Sequence, residues 1–270
     1  MAIESNLKMV WIMFFVFLLL FVLNLFGHSN SPGPTARMWN LIDFWALLIS
    51  IMLLVKHKLP ATREILISVL MAAAVAAAYI NVSLFSMITA SALTLLASLA
   101  LFSTFNRHSE GRLVFLNTAS IKSVAVSILT GAAAGTVLGV VNLMLSGQDL
   151  SHYSIQFIYF KIALSPAIFE EIVLRALFYA FCLSLLNGRI DTRVRKFTAW
   201  FMMIIPHVLI HTPESFINGG IVQGMIYIIM LALLFGLPFA VLQQKRDITS
   251  AMLAHGIVDI IRFCFLGLPY

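Results

Sequence analysis

The sequence predicts an all-α fold, a polytopic transmembrane bundle of about eight or nine helices. Of its 270 residues, 61% are hydrophobic and only 10% are charged, and the mean hydropathy is +1.00. Soluble domains have about 45–50% apolar and about 25% charged residues. The apolar residues are also grouped in runs close to the roughly 20 residues that a helix needs to cross a bilayer. Both observations indicate a membrane protein.

Short polar connectors separate the apolar runs. The first connector, GHSNSPGPTAR, is rich in proline and glycine, and the second, KHKLPATR, is basic and contains a proline. We interpret the first run as a transmembrane helix, because it is long for a signal peptide and no A-x-A cleavage site follows it. The predicted spans are 9–26, 38–55, 64–80, 82–105, 121–146, 155–187, 197–211, 221–243 and 248–268.

The positive charges indicate orientation in a cell membrane rather than a nucleic-acid partner. The formal net charge is +6, and the lysines and arginines lie mainly in alternate connectors. The positive-inside rule then places the N-terminus and these basic loops in the cytoplasm. Cys182 and Cys264 each lie in an apolar run. We therefore expect them to be packing residues rather than disulfide or zinc ligands.

Ionisable residues are concentrated in the second half of the chain, after about residue 155. An ionisable group inside a membrane costs about 2.5–3.5 kcal/mol on insertion scales, so a cluster of such groups is by default a functional-site hypothesis. We predict that residues 1–150 are a scaffold of transmembrane helices and that residues 151–270 are a catalytic core. The small residues of segment 131–139 are expected to permit close helix packing.

The first polar motif lies in the run AIFEEIVLRALFYAF, residues 167–181. On an α-helix, Glu171 and Arg175 are one turn apart and share a face, whereas Glu170 points about 100° away. Arg175 can therefore neutralise Glu171 within the helix and leave Glu170 for another partner. From these residues alone, a structural ion pair and a functional site are both open.

The second motif is His207 and His211, which are one turn apart near the end of a predicted span. Such a pair can bind a metal, and H-x-x-x-H is part of the zinc-protease helix. However, the glutamate that follows the first histidine in that motif is replaced by Val208. A single histidine of this kind is more often a hydrogen-bonded packing residue than a functional one.

The third motif is His255 and Asp259, again one turn apart, with Gly256 beside the histidine. A carboxylate one turn from an imidazole can orient it and select its tautomer. The glycine leaves room for a neighbouring backbone or a substrate. The alternative is a polar pair that satisfies itself within a helix interface.

Taken together, the three motifs resemble the CAAX prenyl endopeptidase and bacteriocin-processing family of intramembrane proteases, also called the CPBP or Abi family. The resemblance covers about residues 155–262. Its first signature, E-E-x-x-x-R, is matched by Glu170, Glu171 and Arg175. Its third signature, H-x-x-x-N or H-x-x-x-D, is matched by His255 and Asp259.

The second signature is an aromatic residue followed by x-x-x-H, and it can be aligned in two ways. His211 is the better match, because the family's histidine is followed closely by a proline, as Pro213 follows here. This alignment places His207 where the family has an aromatic residue. In the alternative alignment His207 is the functional histidine, and Met203 takes the aromatic position.

The resemblance implies an intramembrane endopeptidase that acts on a membrane-associated protein or peptide. Glu170 would be the general base, and His211 would help to bind or polarise the water. His255 would stabilise the oxyanion, with Asp259 orienting it. No cofactor or metal is needed on this precedent, although two histidines and a glutamate also suit zinc.

Two other functional classes stay open from the sequence. A non-catalytic scaffold, immunity or regulatory protein that binds a membrane partner is the first of these. A transporter is the second, and it would predict matching broken helices in both halves of the chain. The depth of Glu170 in the membrane depends on whether Pro166 breaks the long run 155–187 or the helix continues through it.

Overall fold

A computed structural model describes residues 2–27, 32–108, 110–118, 120–148 and 153–268 of the chain. Within these ranges every regular element is helical, and no strand occurs. The predicted all-α fold is therefore confirmed.

The described residues form eleven α-helices and two π-helical segments. The α-helices are α1 (Ala2–Leu25), α2 (Pro34–Lys56), α3 (Thr62–Tyr79), α4 (Leu84–Arg107), α5 (Ile121–Leu145), α6 (Phe157–Ser165), α7 (Leu177–Leu185), α8 (Arg193–Ile210), α9 (Pro213–Leu231), α10 (Leu237–Lys245) and α11 (Ile248–Leu266). One π-helical segment, Pro166–Ala176, joins α6 to α7, and the other, Ala232–Gly236, joins α9 to α10. The described part of the chain thus contains nine continuous helices, each of which overlaps one predicted span.

Seven of these helices, within the described residues, are long and apolar enough to cross a membrane. The chain is therefore a multi-pass membrane protein. The other two are the helix built from α6, the first π-helical segment and α7, and helix α8. These two helices carry the first two polar motifs and basic residues such as Lys161 and Arg193. The orientation of the N-terminus stays a prediction.

Two positions depart from regular α-helix in ways that the apolar runs do not reveal. Pro166 does not break the long run, because the helix continues through it as a π-helix. The helix predicted to begin at residue 221 begins instead at Pro213, with a kink at Gly220. Gly220 has φ +74°, which glycine adopts without the steric cost that a side chain would add. The predicted span therefore corresponds to the part of the helix that follows the kink.

The chain divides into two compact units, each assembled from three stretches of sequence. The first unit comprises Met1–Ala61, Leu96–Arg112 and Val173–Pro238, and the second comprises Thr62–Leu95, Leu113–Ile172 and Phe239–Tyr270. Each unit draws on both halves of the sequence. The functional division near residue 150 stays a prediction.

In the first unit, aromatic contacts and side-chain hydrogen bonds join helices that are distant in sequence. The ring centroids of Trp11 in α1 and Phe201 in α8 lie 5.0 Å apart. Lys56 Nζ, at the end of α2, donates to the carbonyl oxygen of Ser184 at 3.0 Å. A cation at that position satisfies a carbonyl in the last turn of α7 and interacts favourably with the helix dipole.

In the second unit, glycines of α5 pack directly against α11. A Cβ atom added at Gly135 would lie 2.6 Å from the carbonyl oxygen of Ala254, and one added at Gly131 would lie 2.6 Å from that of Ser250. Gly139 similarly faces Ile261. The predicted packing role of segment 131–139 is thereby confirmed, because no larger residue fits at this helix separation.

Asp247 holds the start of α11 in the same unit. Its buried carboxylate accepts hydrogen bonds from Ser127 Oγ at 2.6 Å, from Ser250 N at 2.8 Å and from Asn117 N at 3.2 Å. It therefore caps α11 and also ties this helix to α5 and to the connector that precedes α5.

We predict that Gly135→Ala destabilises the protein by about 1–3 kcal/mol, because the added methyl group overlaps the backbone of α11. Thermal unfolding of the purified chain in detergent measures this effect. Gly33→Ala is the matched control, since a Cβ atom at Gly33 meets no atom within 4 Å. Equal melting temperatures for the two variants would contradict the packing argument.

We predict a pH-dependent contribution from Asp247. Burial alone would raise the pKa of Asp247, but hydrogen bonds from Ser127, Ser250 and the backbone of Asn117 outweigh burial and hold this pKa below its usual value. The stabilisation is therefore present above the ordinary aspartate pKa of about 3.9 and is lost as the pH falls through the lower native value.

At neutral pH, Asp247→Asn should cost about 1–3 kcal/mol of unfolding free energy. The difference from the natural protein should narrow as the pH falls below about 4. Thermal unfolding as a function of pH measures this change, and Glu110→Gln, which alters an exposed carboxylate, is the control. A stability difference between Asp247→Asn and the natural protein that stays constant with pH would show that the charge of Asp247 makes no contribution.

Candidate active site

The first motif lies on the π-helical segment Pro166–Ala176. In a π-helix the hydrogen bonds run from residue i to i+5, so the helix is wider than an α-helix. The α-helical geometry from which the angle between Glu170 and Glu171 was predicted therefore does not apply to this segment. Segments of this kind are rare and occur frequently at functional sites.

Both glutamates lie near the imidazole of His255. Nδ1 of His255 is hydrogen-bonded to Oε1 of Glu171 at 2.7 Å. Nε2 lies 3.7 Å from Oε2 of Glu170 and 3.6 Å from Oδ2 of Asp259. The first and third motifs are thus brought together in one cluster, which we call the carboxylate–imidazole cluster: Glu170, Glu171, His255 and Asp259.

The two sides of the imidazole differ in their access to the surroundings. On the Nδ1 side, the side chain of Glu171 is 0% exposed. On the Nε2 side, the side chains of Glu170 and Asp259 are each 14% exposed. The Nδ1 side is therefore closed, and a reacting group would approach the Nε2 side.

Helix α10 contributes two further contacts to the cluster. The ring of Phe239 stacks on the imidazole of His255, with centroids 4.8 Å apart and planes 11° apart. Nε2 of Gln243 donates to Oε2 of Glu171 at 2.7 Å and to the carbonyl oxygen of Glu171 at 3.2 Å. Sequence reasoning missed both residues. Gln243 offered a signal, since it is a polar residue at the end of a predicted span.

Arg175 is buried and belongs to the first unit. Its Nη1 donates to the carbonyl oxygen of Gly236 at 3.3 Å, in the second π-helical segment. The arginine therefore stabilises a backbone carbonyl in a region of irregular helix. The proposed pairing of Arg175 with Glu171 stays a prediction.

The second motif lies at the end of α8, also in the first unit. His207 is buried in the last turn, and His211 is the exposed residue that ends the helix. Their ring centroids lie 5.2 Å apart, and the ring of His211 meets Trp39 edge to face at 5.3 Å. Both histidines therefore lie together at the end of helix α8, and the position of this helix in the membrane stays a prediction. Which of them is functional stays a prediction.

The carboxylate–imidazole cluster contains the groups that accept and donate protons in acid–base chemistry, namely carboxylates and an imidazole. Glu171 is a hydrogen-bond partner that selects the protonated nitrogen of His255, as a carboxylate does for many functional histidines. Nε2 then points toward two further carboxylates. Their oxygens lie 3.6 Å and 3.7 Å from Nε2, close enough for electrostatic attraction when the imidazole is protonated.

The fold and the cluster define a multi-pass helical membrane protein with a group of ionisable side chains between its helices. Comparison with known proteins relates it to a family. Residues 153–261 match the family described as Type II CAAX prenyl endopeptidase Rce1-like. The matched region includes all three motifs, so the resemblance to the CAAX protease family is confirmed, and the family indicates a protease. No curated protein and no solved structure matches the chain.

Proposed function

We propose that the protein is an intramembrane endopeptidase that hydrolyses a peptide bond of a membrane-associated protein or peptide. The observation that carries this proposal is the carboxylate–imidazole cluster, in which an imidazole held by one buried carboxylate faces two partly accessible ones. The family match over residues 153–261 supports the same reaction class.

Glu170 is the proposed general base. Its carboxylate takes a proton from water, and the water oxygen attacks the carbonyl carbon of the scissile peptide bond. The proton then passes to the leaving nitrogen as the C–N bond breaks. Glu170 suits this role because it lies on the accessible side of the cluster, whereas Glu171 is buried against His255 and Gln243.

His255 is the proposed stabiliser of the tetrahedral intermediate. In its protonated form it donates from Nδ1 to Glu171 and from Nε2 to the oxyanion. Asp259 cannot donate as a carboxylate, so we assign to it the orientation of the imidazole from the Nε2 side. The contact with Glu171 supports this assignment by holding the other nitrogen.

His211 is the proposed partner of Glu170 in binding water, a role that rests on the motif order. Its exposure at the end of α8 is compatible with contact to a reacting water. The substrate is proposed to be membrane-embedded or membrane-associated, as befits a protein surrounded by a lipid bilayer. Prenylated peptides, which the family description mentions, are one class to test.

Replacement of Glu170 by glutamine should lower peptide hydrolysis by at least about 100-fold, because the amide cannot accept the proton. The assay uses the purified full chain in lipid nanodiscs with two probes, a farnesylated peptide and a pool of synthetic transmembrane peptides. Mass spectrometry detects the new termini. Glu110→Gln, which alters an exposed carboxylate, is the control and should retain activity.

The melting temperature of each variant confirms that it is folded. A folded Glu170→Gln variant that cleaves at the natural rate would contradict the protease mechanism. If neither probe is cleaved while a membrane partner is captured equally by both forms, the non-catalytic scaffold is the correct function.

His211→Gln should lower hydrolysis more than His207→Gln, because the motif alignment assigns the functional role to His211. The same nanodisc assay measures both variants, and each serves as the control of the other. The reverse order would establish the alternative alignment with Met203. Excess chelator should leave the rate unchanged, and recovery of a chelated sample specifically by zinc would show that the histidines bind metal.

A further inference from the structure

One face of α10 contacts both members of the Glu171–His255 pair. Phe239 and Gln243 are four residues apart on this helix, so their side chains lie on the same face. Phe239 stacks on the imidazole, and Gln243 donates to the carboxylate. A single helix therefore contacts both the donor, His255, and the acceptor, Glu171, of the buried hydrogen bond.

The orientation of the Gln243 amide follows from its neighbours. Both groups of Glu171 that it contacts, a carboxylate oxygen and a backbone carbonyl, are acceptors. Only the NH₂ group can satisfy them, because turning the amide over would place its oxygen against two other oxygens. Gln243 therefore supplies two hydrogen bonds that hold Glu171 toward His255.

Within the described part of the chain, the Gln243 amide is satisfied at its nitrogen but not at its oxygen. Gln243 is 1% exposed, and its Oε1 has no hydrogen-bond partner among the described residues. A buried polar atom without a partner destabilises the folded state. This cost is offset by the hydrogen bond that Gln243 donates to the Glu171 carboxylate, which is 0% exposed.

We propose that Phe239 and Gln243 are positioning residues, which fix the geometry of His255 and Glu171 for the reaction. This inference rests on the proposed peptidase function. Gln243 holds the Glu171 carboxylate in place, so that Nδ1 of His255 keeps its hydrogen-bond acceptor. Phe239 stacks on the imidazole ring and restricts its rotation. Neither side chain needs to touch the substrate.

The spectroscopic test does not require a substrate. The full chain is labelled with ¹⁵N-histidine, and the imidazole signals of His255 are identified by their loss in His255→Gln. Gln243→Met should shift these signals, because the hydrogen bond that Nδ1 donates to Glu171 loses the support of Gln243. Gln244→Met, on the adjacent residue of the same helix, is the matched control and should leave them unchanged.

The kinetic test separates positioning from substrate binding. Gln243→Met should lower kcat by about 10- to 100-fold, as misplacement of reacting groups does, with KM changed by less than about twofold. Phe239→Leu should lower kcat in the same way. Gln244→Met should retain both constants. The melting temperature confirms that each variant is folded, and that of Gln243→Met should fall, because the buried Glu171 carboxylate loses a hydrogen-bond donor.

The outcomes distinguish this proposal from the proposed function. In folded Gln243→Met, unchanged His255 signals or an unchanged kcat would each overturn the positioning role. If that variant does not fold, an unchanged kcat in Phe239→Leu would overturn it. If the natural protein cleaves no peptide, the proposed function fails. The histidine signals then still decide whether α10 controls the Glu171–His255 pair.

Discussion

The buried hydrogen bond between Glu171 and His255 is the interaction on which the site depends. A carboxylate that is 0% exposed is costly unless it is paired. Its two oxygens are each satisfied, one by Nδ1 of His255 and the other by Gln243. The same hydrogen bond directs Nε2 toward Glu170 and Asp259. It therefore stabilises the buried charge of Glu171 and also orients the imidazole.

This bond requires the helices of the second unit to approach closely. Gly256, beside the histidine, lies against Ala167 at the start of the first motif, and a Cβ atom there would come within 3.2 Å of the alanine side chain. On another face of α11, glycines of α5 such as Gly135 accept the backbone of Ala254. Small residues on two sides of α11 therefore permit the contacts between the motifs.

The region before residue 151 takes part in holding the motif helices. Asp247, at the start of α11, is bound by Ser127 of α5. Ser165, just before the π-helical segment, donates to the hydroxyl oxygen of Tyr79 at 2.9 Å. The family match begins only at residue 153, yet helices outside it supply these contacts. Helices before residue 151 are thus joined to the helices that carry the motifs by direct hydrogen bonds within one unit.

The sequence by itself determined the helical membrane fold and the chemical groups of the site. Apolar runs and isolated charges carry these signals locally, because burial in lipid acts on each segment separately. Tertiary structure decided the π-helical geometry around Glu170, the pairing of Glu171 with His255 and the contacts of Phe239 and Gln243 with this pair. These features depend on which faces of distant helices meet, and side-chain spacing along one helix does not contain that information.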